Sequence, residues 1–157
     1  MDLRKIKTYM KMATDLSELS PDEETQVGAV MLSPAGRIIA TSFNGFLRGA
    51  PDDKLPKTRE GTPNKYEFIQ HAERNMLYNC AYEGIRTKDT TVVCTLSPCF
   101  ECLRACFQSG VRTIYFKELY HRFEDIYVYM HLKDVDVQVY TLKNGFTQLS
   151  MFEKGND

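Results

Sequence analysis

Between Thr90 and Phe116 the chain reads as strand, helix, strand with almost no residue to spare. Residues 90–96 are rich in β-branched side chains, Ser97-Pro98 opens a helix over 99–108, Gly110 closes it, and 111–116 is again β-rich. Ser97 or its neighbour is expected to cap that helix, with Pro98 at an entry position. A chain that alternates in this way builds a sheet and covers it with helices.

The rest of the sequence extends the alternation. Leu3, Ile6, Met10 and Ala13, with Met12, Leu16 and Leu19 beside them, recur near helical spacing, and Ser20-Pro21 ends that helix. Residues 27–32 and 37–43 are two β-rich runs around Ser33-Pro34-Ala35-Gly36, the pattern of an antiparallel hairpin of core strands. Residues 67–82 read as a helix stopped near Gly84. Residues 122–130 are a candidate helix, and Val135, Val137 and Val139 alternate with polar residues as a half-buried edge strand. The tail from Lys143 carries weak signals, His131 reads as a surface or packing residue, and Met10, Met12 and Met31 are core candidates. The order predicts an α/β fold: a mixed sheet with helices on both faces, in one domain spanning residues 1–157. A chain of this size buries roughly 68–70% of its unfolded surface, so a core forms without staples.

Charge narrows the partners. Twenty basic residues face 21 acidic ones, a net charge of −1. Proteins that coat long nucleic acids show a basic excess, because phosphate contacts dominate that affinity. The balance leaves room for a small phosphorylated ligand. No apolar run approaches the roughly 20 residues of a membrane span. The opening Met1-Asp2-Leu3-Arg4-Lys5 leads into no apolar segment of a secretory signal, so a cytoplasmic protein with reduced thiols is expected. Its five cysteines cannot all pair within one chain.

Two short motifs give some of those cysteines a use. His71-Ala72-Glu73 and Pro98-Cys99-Phe100-Glu101-Cys102 both fall at expected helix starts. Cysteines three apart at a helix N-terminus direct both sulfurs at one centre, and the local N–H groups favour thiolate. Two thiolates and the His71 imidazole make three ligands and leave a tetrahedral position open, the mark of a catalytic zinc that activates water. Glu73 lies two residues from His71, close enough to move a proton without being the fourth ligand. A redox dithiol also accounts for Cys99 and Cys102, but leaves His71 and Glu73 unexplained. Cys80, Cys94 and Cys106 read as small buried hydrophobes. The stretch from Asn44 to Lys65 holds many Gly, Pro and charged residues and reads as a long binding loop.

The His-x-Glu and Pro-Cys-x-x-Cys pair is the general signature of zinc nucleobase deaminases. The order Thr25-Gln26-Val27-Gly28-Ala29-Val30, Phe43-Asn44-Gly45-Phe46, His71-Ala72-Glu73-Arg74-Asn75, Leu96-Ser97-Pro98-Cys99 further resembles the deoxycytidylate (dCMP) deaminase family over residues of about 25–117. The resemblance implies a three-layer α/β/α cytidine deaminase-like fold with a five-stranded mixed sheet. It implies hydrolytic deamination of dCMP to dUMP, with one zinc per subunit on His71, Cys99 and Cys102 and Glu73 as proton carrier. Substrate contacts are expected at Asn44, at the Ala72 backbone and at Tyr120, His121 and Arg122. Arg48, Lys54, Lys57, Arg59, Lys65 and Arg112 are further candidate cations for the phosphate. The resemblance also implies activation by dCTP with Mg2+, inhibition by dTTP, and a homohexamer. Gly45, Phe46, Arg48 and Lys65 are the candidate effector residues. Leu47, Arg74 and Met76 depart from the family pattern, and Arg74 is a candidate to face a neighbouring subunit. The loop contains neither Cys nor His, so no second zinc is expected. The competing readings are another deaminase of the superfamily, a structural-zinc interaction module and a thiol redox protein.

Overall fold

The computed structural model describes residues 2–118, 138–141 and 147–148. Its elements are α1 (Leu3–Ser17), β1 (Gly28–Leu32), β2 (Ile38–Phe43), α2 (Ala72–Glu83), β3 (Thr90–Leu96), α3 (Phe100–Gln108), β4 (Val111–Glu118), β5 (Gln138–Thr141) and β6 (Thr147–Gln148). The strands form one sheet in the order β2-β1-β3-β4-β5-β6. β1 runs antiparallel to β2 and β3, whereas β3, β4 and β5 are mutually parallel, so the sheet is mixed as expected.

Alternation along the strands separates two cores, because successive side chains leave a strand on opposite faces. Ala29, Met31, Val92, Cys94, Ile114 and Phe116 pack under α2 and α3 with Met76, Cys80, Leu103 and Cys106. Val30, Leu32, Val93 and Tyr115 pack under α1 with Ile6, Met10 and Ala13. The result is the three-layer α/β/α arrangement. Cys80, Cys94 and Cys106 are each at most 1% exposed, as small buried hydrophobes should be.

Several details differ from expectation. Met12 is exposed rather than in the core, because α1 turns only its Ile6, Met10, Ala13 stripe inward. The fifth strand begins at Gln138 and is flanked by β4 and β6, so it is not an edge. β6 adds a short sixth strand. Residues 122–130, His131, Val135 and Val137 lie outside the described residues. The helix expected from Glu67 starts only at Ala72. A 3-10 turn at Lys65–Glu67, capped by Asn64, takes the earlier residues.

Gly28 sets the distance between α1 and the sheet. A Cβ there would land on the Ala13 carbonyl oxygen and 2.7 Å from the Ser17 backbone nitrogen. Both obstacles are backbone, so neither can swing aside. Gly28→Ala is expected to destabilise the fold by about 1–3 kcal/mol, the usual range for overpacking. Urea unfolding of the two proteins measures it, and an unchanged midpoint would refute the close-approach argument.

Candidate metal and active site

Two helix starts face each other above the sheet. His71 is the N-cap of α2, Cys99 is the N-cap of α3, and neither side chain caps its own helix. Cys99 therefore occupies the cap position expected of Ser97, and Pro98 precedes the helix. Both N-cap side chains are free to turn toward a common centre. His71 Nδ1 lies 3.5 Å from Cys99 Sγ and 3.3 Å from Cys102 Sγ. The three donor atoms all fall within 4.8 Å of one another, the one such metal-capable group among the described residues.

Hydrogen bonds within the cluster shift its three groups in different directions. The Cys99 thiol is pushed down to about 3, chiefly because Cys102 donates to it and also because His71 does. The same bond pushes Cys102 up. His71 is raised by its hydrogen bond to Cys99. Zinc takes cysteine as thiolate and histidine as neutral imidazole, so binding at these groups would release protons. One imidazole and two sulfurs form a zinc donor set with a position left over. No further Cys or His joins the group among the described residues.

Glu73 is one turn-position into α2 and only 4% exposed. Burial raises its carboxyl above the usual range. It lines a cavity of about 230 Å³ together with His71, Ala72, Leu96, Ser97 and Cys99. Ala72 is the first residue of α2, so its N–H has no acceptor within the helix. The Ala72 carbonyl accepts from Ser42 Oγ at 2.6 Å, and Asn75 Nδ2 donates to the Phe43 carbonyl at 2.9 Å. These bonds seat the start of α2 on β2.

The other wall of the same cavity comes from Asp22, Thr25, Asn44, Arg59, Lys65 and Tyr66. Asn44 is 6% exposed and engaged by the chain itself. Its Oδ1 accepts from the Val27 N–H at 2.8 Å, and its Nδ2 donates to the Thr25 carbonyl at 2.8 Å and to Asp22 Oδ2 at 3.4 Å. Lys65 Nζ bonds both Asp22 oxygens, at 3.0 and 2.9 Å, and lies 3.3 Å from Glu24. Lys65 is thus a buried part of the cavity lining, its charge spent on two carboxylates. Gly45 bridges Gln70, and Arg48 sits outside the cavity, stacked 4.1 Å over Tyr82 and bonded to Asn79. Phe46 is not among the cavity residues either. Tyr120, His121 and Arg122 lie outside the described residues.

Arg59 differs from Lys65. Its side chain is 58% exposed, and its bonds to Glu24 use the backbone N–H at 2.6 Å and Nε at 2.8 Å. Those bonds do not use its two terminal nitrogens. Arg74, a candidate to face a neighbouring subunit, pairs within the chain with Glu101 of α3 at 3.3 Å. Asp22 and Glu24 escaped the sequence reading. They stand in an acidic stretch with no motif, and their partner Lys65 is 43 residues from Asp22, so no local pattern signals the pair.

Comparison with known proteins agrees with this geometry. The family model for the cytidine and deoxycytidylate deaminase zinc-binding region matches residues 3–118. A probable deoxycytidylate deaminase of Caenorhabditis elegans is 35% identical over 118 residues, covering 74% of this chain and 59% of that protein. The human deoxycytidylate deaminase is 31% identical over 117 residues, covering 72% and 65%. The chain thus spans about three fifths of the length of such relatives. The crystal structure of dCMP deaminase from the cyanophage S-TIM5 in complex with dCMP and dUMP superposes with a TM-score of 0.75 at 28% identity, covering 90% of this chain and 98% of that one. With its paired helix starts, His-Cys-Cys cluster and buried glutamate, the chain belongs to the cytidine and deoxycytidylate deaminase zinc-binding family.

Proposed function

We propose that this protein hydrolyses dCMP to dUMP and ammonia. The observation that carries the reading is the buried Glu73 carboxyl opening onto the same cavity as the His71-Cys99-Cys102 cluster. His71, Cys99 and Cys102 would hold one zinc per chain, which would lower the pKa of the attacking water. Glu73 takes a proton from the attacking water and delivers it to N3 of the ring. The water oxygen bonds C4, Glu73 carries the second proton to the amino nitrogen, and the C4–N bond breaks to release ammonia. The upward shift of the buried carboxyl favours this two-way traffic, since a proton carrier works best with a pKa near the working pH. The Ala72 N–H is suited to the pyrimidine carbonyl.

The 5′-phosphate is read by Arg59. Among the cavity's described cations, Lys65 is sealed against Asp22 and Glu24, whereas Arg59 reaches water with its terminal nitrogens uncommitted to Glu24. Such a fork makes paired charge-assisted bonds to a phosphate. Tyr120, His121 and Arg122 remain candidate substrate contacts from their place in the sequence after the fourth strand. Resemblance also supports dCTP with Mg2+ as activator, dTTP as inhibitor, and a homohexamer, with Gly45, Phe46 and Arg48 outside the cavity and Lys65 in its lining as effector residues. The charge balance supports small nucleotides over nucleic acid polymers, and a cytoplasmic setting fits a chain whose described helices are none of them long and apolar enough to cross a membrane.

An assay of dUMP formation decides the reading. Zinc-loaded protein is expected to favour dCMP over deoxycytidine, and to respond to dCTP and dTTP in opposite directions. Arg59→Leu is expected to lower kcat/KM for dCMP by about 10–100-fold, the worth of a charge-assisted bond, while deoxycytidine turnover stays level. Rapid turnover of cytidine with none of dCMP would sink the substrate assignment. An unchanged preference in Arg59→Leu would remove the phosphate contact alone.

A further inference from the structure

Cys94 is a buried thiol that the reaction above does not use. It sits on β3 beneath the start of α2, with no exposed surface. Its Sγ donates to Glu73 Oε1 at 3.4 Å, an ordinary length for a sulfur donor. This bond links the sheet to the one carboxyl assigned to proton transfer. The local sequence makes the residue conspicuous. Cys94 follows Thr90-Thr91-Val92-Val93 in a strand where β-branched residues pack well, and valine has nearly its size. What cysteine has and valine lacks is an S–H donor.

A buried carboxyl that must meet both water and substrate has to present one oxygen in one direction. Rotation about its last torsion is broad and nearly two-fold, so packing alone defines it poorly. A donor fixed in a strand breaks that symmetry. We propose that Cys94 is a positioning residue, its thiol holding Oε1 of Glu73 so that Oε2 is turned toward the reacting atoms. The kinetic part of this inference rests on Glu73 being the proton carrier; the hydrogen bond itself does not.

Two substitutions separate positioning from packing. If Cys94 only fills space, Cys94→Val is the benign change and Cys94→Ser, which buries a hydroxyl, the harmful one. If it positions Glu73, the order in kcat reverses. Cys94→Val is expected to lose about 3–10-fold in kcat for dCMP, the range of one modest hydrogen bond, with KM unchanged. Cys94→Ser is expected to keep most of kcat even where thermal stability falls. Full kcat in the valine variant overturns the proposal. A second readout needs no activity. The S–H stretching band that disappears in Cys94→Val belongs to Cys94, and in Glu73→Ala it is expected to shift to the position of a free thiol. A band that stays in place overturns the proposal. If wild-type protein makes no dUMP, the function reading fails while the infrared result still decides the bond.

Discussion

Glu73→Gln is expected to lower kcat for dCMP by about 10²–10⁴-fold while leaving zinc content and folding intact. Glutamine has the same length and shape, so it fits the same buried position and still accepts from Cys94. It cannot take a proton from water and return it to nitrogen. The loss therefore isolates proton transfer from metal binding, because the His71-Cys99-Cys102 donors are untouched. Zinc per chain, measured beside dUMP formation, tests both halves. A variant that keeps zinc and near-native turnover would instead favour a structural-zinc module.

Cys102→Ala should do the opposite, removing metal and activity together. Cys102 is fully buried on the first turn of α3 and contributes one of two sulfurs. Loss of an outer partner of a metal ligand costs about 10–100-fold in affinity, so loss of the ligand itself should cost more. Folded-state binding also adds stability, which makes a lower melting temperature part of the expected result. Cys106→Ala is the control. It lies one turn further along α3, outside the donor group, and its thiol is pushed up by burial. That variant should lose some packing but no zinc. Full zinc in Cys102→Ala would overturn the ligand assignment.

The metal site was legible because its donors come in two local words. His71-Ala72-Glu73 and Cys99 to Cys102 each span one helix start, and helix geometry alone aims each set. The hairpin of β1 and β2 and the β3-α3-β4 unit were legible for the same reason. Period-2 and period-3.6 patterns are properties of neighbouring residues. The start of α2 was not, because Asn64 and Glu67 form their own capping box and divert the chain into a separate turn. Met12 sits beside the buried stripe of α1, and only the docked orientation of that helix decides which neighbours face the sheet.

The charged and polar lining of the cavity shows the limit most clearly. In sequence, Asp22 and Glu24 are an acidic stretch, Lys65 a loop cation and Asn44 an expected substrate contact. Folding brings Asp22, Asn44 and Lys65 into the lining of one cavity, with Glu24 paired to Lys65 and Arg59. Asp22 is then spent on Lys65, Asn44 on backbone groups, and Arg59 is the cavity cation with bonds to spare among the described residues. Cys94, read as filler, becomes a donor to Glu73. The sequence by itself determined the layered fold and the two helix starts that carry His71, Glu73, Cys99 and Cys102, because each of these is written in residues a helix turn or a strand step apart. Which charges neutralise one another and which stay free for a ligand was decided only by the tertiary structure. Those pairings join residues tens of positions apart, and their energies depend on burial that no local pattern encodes.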